Sequence, residues 1–370
     1  MPPSPPSAAT VPALDLHGDV ASLTAAICDI ESVSRQEGAL ADAVEAALRP
    51  LGHLEVLRDG NSVVARTRLG RDERVILAGH LDTVPLADPP NLPTRLVGGE
   101  LWGRGTVDMK GGVAVALRVA AQATRPARDL TFLFYECEEI EAQFNGLERI
   151  GRTAPELLAG DFAVLLEPTS GAVEGGCKGT LRVDVAARGV AAHSARPWKG
   201  HNAIHEAGTI LGRLAAYEPQ VVAVDGLDYH EAMQAVGISG GIAGNVVPDL
   251  CTVTVNYRFA PDKDAATALE HVRRLFEGFD CTLRDAADGA RPGLHLPAAQ
   301  EFVEALGVPV GPKEGWTDVA RFSALGIPAV NYGPGDPNLA HMDDERCPVQ
   351  QYADAEAALL RWAMGETGRR

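Results

Sequence analysis

The sequence has no closely spaced cysteine pair. Its six cysteines, Cys28, Cys137, Cys177, Cys251, Cys281 and Cys347, are scattered along 370 residues. That spacing gives no support to a thiolate zinc site or a Cys-x-x-Cys redox motif, and isolated thiols behave as small core residues in a reducing compartment. Aromatic side chains are only 5% of the chain, so the core is expected to consist of small and β-branched residues. Positive charge is in deficit, with 33 Lys and Arg against 50 Asp and Glu and a formal charge of -17. Nucleic acid and anionic membranes reward the opposite balance, so neither is an expected partner. An anionic small molecule would need a locally cationic pocket. No apolar run approaches the roughly 20 residues that cross a bilayer. The opening residues, Met-Pro-Pro-Ser-Pro-Pro-Ser, have neither the basic region nor the apolar stretch of a secretory signal. They read as a disordered tail over residues 1–14, and the expected location is cytoplasmic.

A chain of this length exceeds one ordinary core, so two domains are expected. Helical periodicity runs from about Asp19 to Leu48, with a break at Ser-Arg-Gln-Glu-Gly. Beyond it, short apolar strand runs at 74–79, 130–135, 162–166 and 328–332 alternate with helical stretches at 112–122 and 352–364. This pattern predicts an α/β fold, a mostly parallel sheet with helices on both faces. The middle differs. Residues 180–188 and 251–259 alternate apolar and polar side chains, which predicts an antiparallel sheet with one wet face. Helices are expected at 202–217 and 262–278. The organisation expected is a catalytic domain over 15–177 plus 294–370, with an inserted α+β domain at 178–293.

Metal-capable side chains fall just after the strand runs. His80 and Asp82 follow the first, Glu138 and Glu139 the second, Glu167 the third, and His341 lies in the loop after the last. Asp108 sits in a Gly-rich turn before a helix. Open α/β sheets bind ligands outside the carboxyl ends of their strands, so five segments are expected to bring His, Asp and Glu to one edge. Nitrogen and oxygen donors without thiolate suit catalytic zinc, and cobalt or manganese could substitute. Two such ions need a bridging carboxylate, for which Asp108 is well placed. In the His80-Leu81-Asp82 run, alternation puts residues 80 and 82 on one side, where the Asp82 carboxylate could accept the second ring N–H of His80; a turn residue before Thr83 is the other reading. In the Glu138-Glu139 pair, one carboxylate is expected to bind metal. The other would take a proton from water and deliver it to the leaving amine, its pKa raised by burial and by its neighbour.

Several stretches together resemble the zinc-dependent aminoacylase/carboxypeptidase family, and its desuccinylase branch most. They are Gly79-His-Leu-Asp-Thr-Val-Pro85, Gly103-Arg-Gly-Thr-Val-Asp-Met-Lys-Gly-Gly112, Glu136-Cys-Glu-Glu139, Leu166-Glu-Pro168, Arg188-Gly-Val-Ala-Ala-His-Ser-Ala-Arg-Pro197, Gly244-Asn-Val-Val-Pro248 and His341. The resemblance implies two zinc ions per subunit, with His80 and Glu167 on one, Glu139 and His341 on the other, and Asp108 between them. It implies Glu138 as general base, a cis peptide after Asp108, and a homodimer formed through the inserted domain. His193 would then reach the partner's active site and stabilise the oxyanion. It further implies carboxylate-binding contacts from Arg258, Asn245, Thr317, Arg321 and Arg196. The activity implied is hydrolysis of N-succinyl-L,L-2,6-diaminopimelate to succinate and L,L-2,6-diaminopimelate, with acetylornithine-type deacylation or dipeptide hydrolysis as the alternative. Two features depart from the desuccinylase pattern: Arg196 stands where Tyr is frequent, and the 333–341 loop lacks an Asn at the expected spacing from the His.

Overall fold

The computed structural model describes residues 13–366, so nearly all of the expected N-terminal tail lies outside the described residues. The chain divides into two compact units. The first comprises 13–174, Gly293–Gly311 and 321–366; the second comprises Gly175–Pro292 and Pro312–Ala320.

The first unit carries most of an eight-stranded sheet, six strands of which run in the order Glu55–Asp59, Ser62–Arg66, Asp129–Tyr135, Arg74–His80, Phe162–Leu165 and Ala329–Asn331. The last four are mutually parallel, and the first two add antiparallel pairings at one side. The strands Asp129–Tyr135 and Phe162–Leu165 are buried along their whole length, the second wholly apolar and the first apolar but for Asp129 and Thr131. Register aligns their ends: His80 stands beside Tyr135, Ala78 beside Leu165, and Asn331 beside Leu165. The helix Lys110–Gln122 is almost wholly buried, and Val20–Cys28 and Val349–Ala363 pack with it in one core. The N-terminal helical stretch, expected with a break at Ser-Arg-Gln-Glu-Gly, forms two helices, Val20–Cys28, capped by Asp19, and Gly38–Leu48. A small sheet of Arg95–Val97, Glu100–Trp102 and Arg346–Pro348 was not expected from the sequence; its strands have three residues each, too few to show a period.

The second unit is built on a four-stranded antiparallel sheet, ordered Ala232–Gly240, Leu250–Phe259, Gly179–Arg188 and Asp280–Ala287. Leu181, Val183, Val185 and Ala187 face Val253, Val255, Tyr257 and Phe259 in its core. The helices Ala203–Ala215 and Ala265–Leu275 begin at side-chain caps from Asn202 and Asp264. Pro312–Ala320 groups with this unit because Lys313 N–H donates to the Gly175 carbonyl at 3.3 Å and Trp316 Nε1–H to the Asp288 carbonyl at 3.0 Å. Among the described residues, no helix is long and apolar enough to cross a membrane.

Candidate metal centre and active site

Parallel strands that end in register put their next residues side by side. His80 closes its strand, Glu138 and Glu139 follow Tyr135 by a short turn, and Glu167 follows Leu165 by two residues. The Gly-rich turn adds Asp108, and the loop after Asn331 adds His341. Ligand-capable atoms of His80, Asp108 and Glu167 lie within 4.8 Å of one another, as do those of Asp108, Glu139 and His341, so Asp108 belongs to both triads. The Glu138 carboxylate lies within the same distance of His80 and Glu139.

Local backbone features produce this convergence. Cys137 and His341 both adopt left-handed φ, 58° and 65°. That conformation costs a non-glycine residue about 1–2 kcal/mol, which the surrounding contacts must overcome. The Asp108–Met109 peptide is cis, as the resemblance implied. Gly112 permits the helix after Asp108 to lie against the strand that carries Glu167, since a Cβ there would sit 2.1 Å from the Leu166 carbonyl oxygen. Lys110, buried in the first turn of that helix, donates through Nζ to the Ile30 carbonyl at 2.8 Å. Its ammonium thus anchors the helix to the segment that follows Val20–Cys28.

The geometry suits cations. His80 Nδ1 is 3.0 Å from the Asp82 main-chain carbonyl, which can only accept, so Nδ1 carries a hydrogen. A neutral ring would then turn a lone pair at Nε2 toward Asp108 Oδ1, 3.2 Å away. His341 Nε2 faces Glu139 Oε1 at 3.0 Å and Asp108 Oδ2 at 3.3 Å, where either a ring N–H or a metal ion would satisfy the carboxylates. At His80 lone pair against lone pair is repulsive, so a proton or a metal ion must stand between ring and carboxylate. As protonated rings, the histidines behave accordingly. Hydrogen bonds to Asp108 and Glu139 raise His341 to about 10. Burial disfavours a charged His80, yet its bonds to Asp108 and Asp82 outweigh that and hold it well above its usual range. Burial likewise opposes ionisation of Asp108, but His341 and His80 hold it far below the carboxylate range. Glu139 is pushed up by burial and then by the charge of Asp108. Divalent ions would satisfy the same carboxylates and receive both ring lone pairs. Imidazole and carboxylate with no thiolate form a donor set that suits zinc.

Asp82 has more partners than the sequence expectation gave it. The His80 ring N–H points at the main-chain oxygen of Asp82, while the carboxylate Oδ1 is 3.5 Å away. That carboxylate also accepts the backbone N–H groups of Glu138 at 2.9 Å and Glu139 at 3.1 Å, and the Ser34 hydroxyl at 2.7 Å. Burial opposes its charge, but these donors and His80 keep it low. Asp82 is therefore fully buried and holds the turn that presents both glutamates. Sequence spacing could not show this, because the contact spans 56 residues.

The remaining expected residues fall into separate groups. In the second unit, His193 is exposed on a two-residue strand paired with Val246–Val247. Its Nδ1 accepts the Ala195 N–H at 3.1 Å, so the neutral ring presents Nε2–H as a donor. Asn245 and Arg196 adjoin it: Ser194 N–H donates to the Asn245 carbonyl at 2.9 Å and Arg196 N–H to the His193 carbonyl at 2.7 Å. Arg258 is remote from this group. The group lies near Leu250, at the start of the strand that carries Arg258 toward its other end. Eight residues of strand at about 3.3 Å each put them roughly 26 Å apart. Arg258 Nε donates to Asn256 Oδ1 at 3.3 Å, and burial followed by the nearby Arg182 charge lowers its pKa. Thr317 is buried, and its carbonyl lies 3.6 Å from Cys177 Sγ. In the first unit, Arg321 pairs with Glu148.

A family model described as Peptidase family M20/M25/M40 matches residues 76–365. The chain is 55% identical over 355 residues to a Mycobacterium tuberculosis protein that carries the name of a succinyl-diaminopimelate desuccinylase, covering 95% of this chain and 100% of the relative. It is 48% identical over 362 residues to succinyl-diaminopimelate desuccinylase of Corynebacterium glutamicum, covering 95% and 98%. Among solved structures, a Staphylococcus aureus tripeptidase shares the fold with a TM-score of 0.79 at 20% identity, covering 96% of this chain and 99% of that one. The chain belongs to Peptidase family M20/M25/M40.

Proposed function

We propose that this chain hydrolyses N-succinyl-L,L-2,6-diaminopimelate to succinate and L,L-2,6-diaminopimelate. The observation that carries the substrate assignment is identity of 48% and 55% to two relatives of that name, end to end rather than over a motif. The chemistry rests on the two triads that share Asp108. His80 and Glu167 would hold one zinc ion, Glu139 and His341 the other, and Asp108 both. Bound there, zinc would polarise the amide carbonyl and acidify water at neutral pH. Glu138 takes a proton from the attacking water onto its carboxylate and returns it to the amine nitrogen as the C–N bond breaks. The acyl carbon gains the oxygen and leaves as succinate. Asp82 keeps the Glu138 and Glu139 main chain in place throughout.

A substrate with several carboxylates meets a chain of net charge -17, so local cations must receive it. Arg258, Arg321 and Arg196, with Asn245 and Thr317, are the proposed contacts. Arg258 suits the task because it bonds an amide oxygen and stands near a second guanidinium, leaving its own charge to favour an anion.

The second unit is proposed to form a homodimer, its occupant a second copy of this chain. The outer strand Ala232–Gly240 pairs on one side only within its sheet and exposes Val236 and Ile238 at 59% and 56%. An apolar open edge of this kind is a template for pairing. The separation of His193 and Asn245 from Arg258 also supports the dimer, since roughly 26 Å along one strand is too far for one small substrate. His193 and Asn245 would therefore serve the partner's site, with His193 Nε2–H donating to the oxyanion.

A substrate panel tests the assignment. Protein loaded with zinc is expected to release succinate and free amine from the succinyl substrate in preference to acetylornithine and dipeptides. Turnover of acetylornithine or a dipeptide with none of the succinyl compound would overturn the substrate and leave the chemistry standing.

A further inference from the structure

The Arg104–Glu345 pair is buried to 3% and 1% exposure beside the proposed metal centre, yet neither residue belongs to the ligand triads. Its contacts are distributed unusually. Glu345 Oε1 accepts the main-chain N–H of Val107 at 2.9 Å and of Asp108 at 3.1 Å. Glu345 Oε2 accepts from Arg104 at 2.9 Å, and the Glu345 carbonyl accepts the Gly103 N–H at 3.0 Å. The Arg104 guanidinium then reaches two further segments. Its Nε donates to the Pro85 carbonyl at 3.2 Å, and its NH1 group to the Met342 carbonyl at 3.1 Å. One ion pair thus joins the stretch after His80 and Asp82, the turn that carries Asp108, and the residue next to His341.

We propose that Arg104 and Glu345 are positioning residues that set the relative placement of His80, Asp108 and His341 and thereby tune metal affinity. The inference rests on the two-ion reading of the site. It goes beyond that reading by assigning the spacing of three ligands to a single buried pair. Stability alone is a poor explanation for the pair. Two desolvated charges are often no better than two apolar side chains of the same size, whereas removal of one partner strands the other. What an apolar pair could not do is accept two N–H groups from one loop and donate to carbonyls of two others. Arginine also suits this position better than lysine, because its planar fork fixes several donor directions at once. Groups that orient metal ligands from behind typically alter metal affinity 10- to 100-fold when replaced.

The decisive variant is the double replacement Arg104→Met with Glu345→Leu, which removes both charges and retains the volume. Zinc affinity is measured by competition with a chromophoric chelator, alongside Tm, kcat and KM, on the full-length protein. A positioning role predicts zinc binding weakened by about 10- to 100-fold and a comparable fall in kcat, with KM close to wild type; Tm should fall as well, because the Val107 and Asp108 N–H groups lose their acceptor. Should the double variant not fold, Arg104→Lys keeps the charge and loses the fork, and the same zinc shift is expected from it. As a control, Leu359→Ala, in the same core and away from these loops, should lower Tm without weakening zinc. A folded variant with wild-type zinc affinity and kcat would overturn the proposal. Wild-type protein that takes up no zinc would instead overturn the two-ion reading, so the two failures are distinguishable.

Discussion

Glu138→Gln is expected to lower kcat by about 10²–10⁴-fold, equivalent to roughly 2.7–5.4 kcal/mol of barrier, with zinc content and KM near wild type. The replacement keeps the size and shape of the side chain and removes only its capacity to carry a proton. Geometry supports a selective effect. The Glu138 carboxylate is within 4.8 Å of the ligand atoms of His80 and Glu139. Its main chain is held by the buried Asp82 carboxylate, which accepts the Glu138 and Glu139 N–H groups alike. Nothing in that support depends on the charge of Glu138. Glu139 is different: it faces His341 at 3.0 Å, and burial followed by the Asp108 charge raises its pKa, so its replacement should remove metal together with turnover. The measurement is steady-state kinetics with zinc quantified on the same preparation. Wild-type kcat in Glu138→Gln would remove this residue from the mechanism.

The second large effect concerns the dimer. His193→Ala alone should be nearly inactive, as should Glu138→Gln. When the two inactive variants are co-expressed and the mixed dimer forms at random, about a quarter of wild-type activity should return if a dimer shares residues across its interface. In a mixed dimer, one site receives an intact Glu138 from its own chain and an intact His193 from the other. Random pairing makes half the dimers mixed, each with one working site in two. The structural grounds are the open strand Ala232–Gly240 and the position of His193, exposed on a separate two-stranded pairing near the opposite end of the strand that carries Arg258. If His193 served its own chain's site, no mixture of these variants would regain activity.

Much of the centre was legible because a parallel sheet places function at strand ends. The runs before His80, Glu138 and Glu167 are short and mostly apolar, so the side chains that follow them stood out. The wet-faced strands Gly179–Arg188 and Leu250–Phe259 were legible for a different reason: their alternation is unbroken. Their neighbours were not. Ala232–Gly240 is mostly exposed, contains two glycines and shifts register between Ala235 and Gly237, so no period survives. Asp280–Ala287 is an exposed edge strand, and its register shifts as well. Long-range polar contacts were the other blind spot. The Asp82 carboxylate was expected at the His80 ring because alternation put them on one side; its Oδ1 lies 3.5 Å from Nδ1, but the backbone amides 56 residues on, which it also accepts, gave no local signal. Glu345 gave no signal at all, since its partners at Val107 and Asp108 lie more than 200 residues away in sequence. Such contacts depend on how loops meet, which local pattern does not encode.

Anomalous diffraction at the zinc edge, from crystals of the zinc-loaded protein, tests the central claim most directly. The account predicts two peaks per chain about 3.5 Å apart, one among His80, Asp108 and Glu167 and the other among Asp108, Glu139 and His341. A single peak, or strong peaks elsewhere with these side chains paired only to one another, would contradict it.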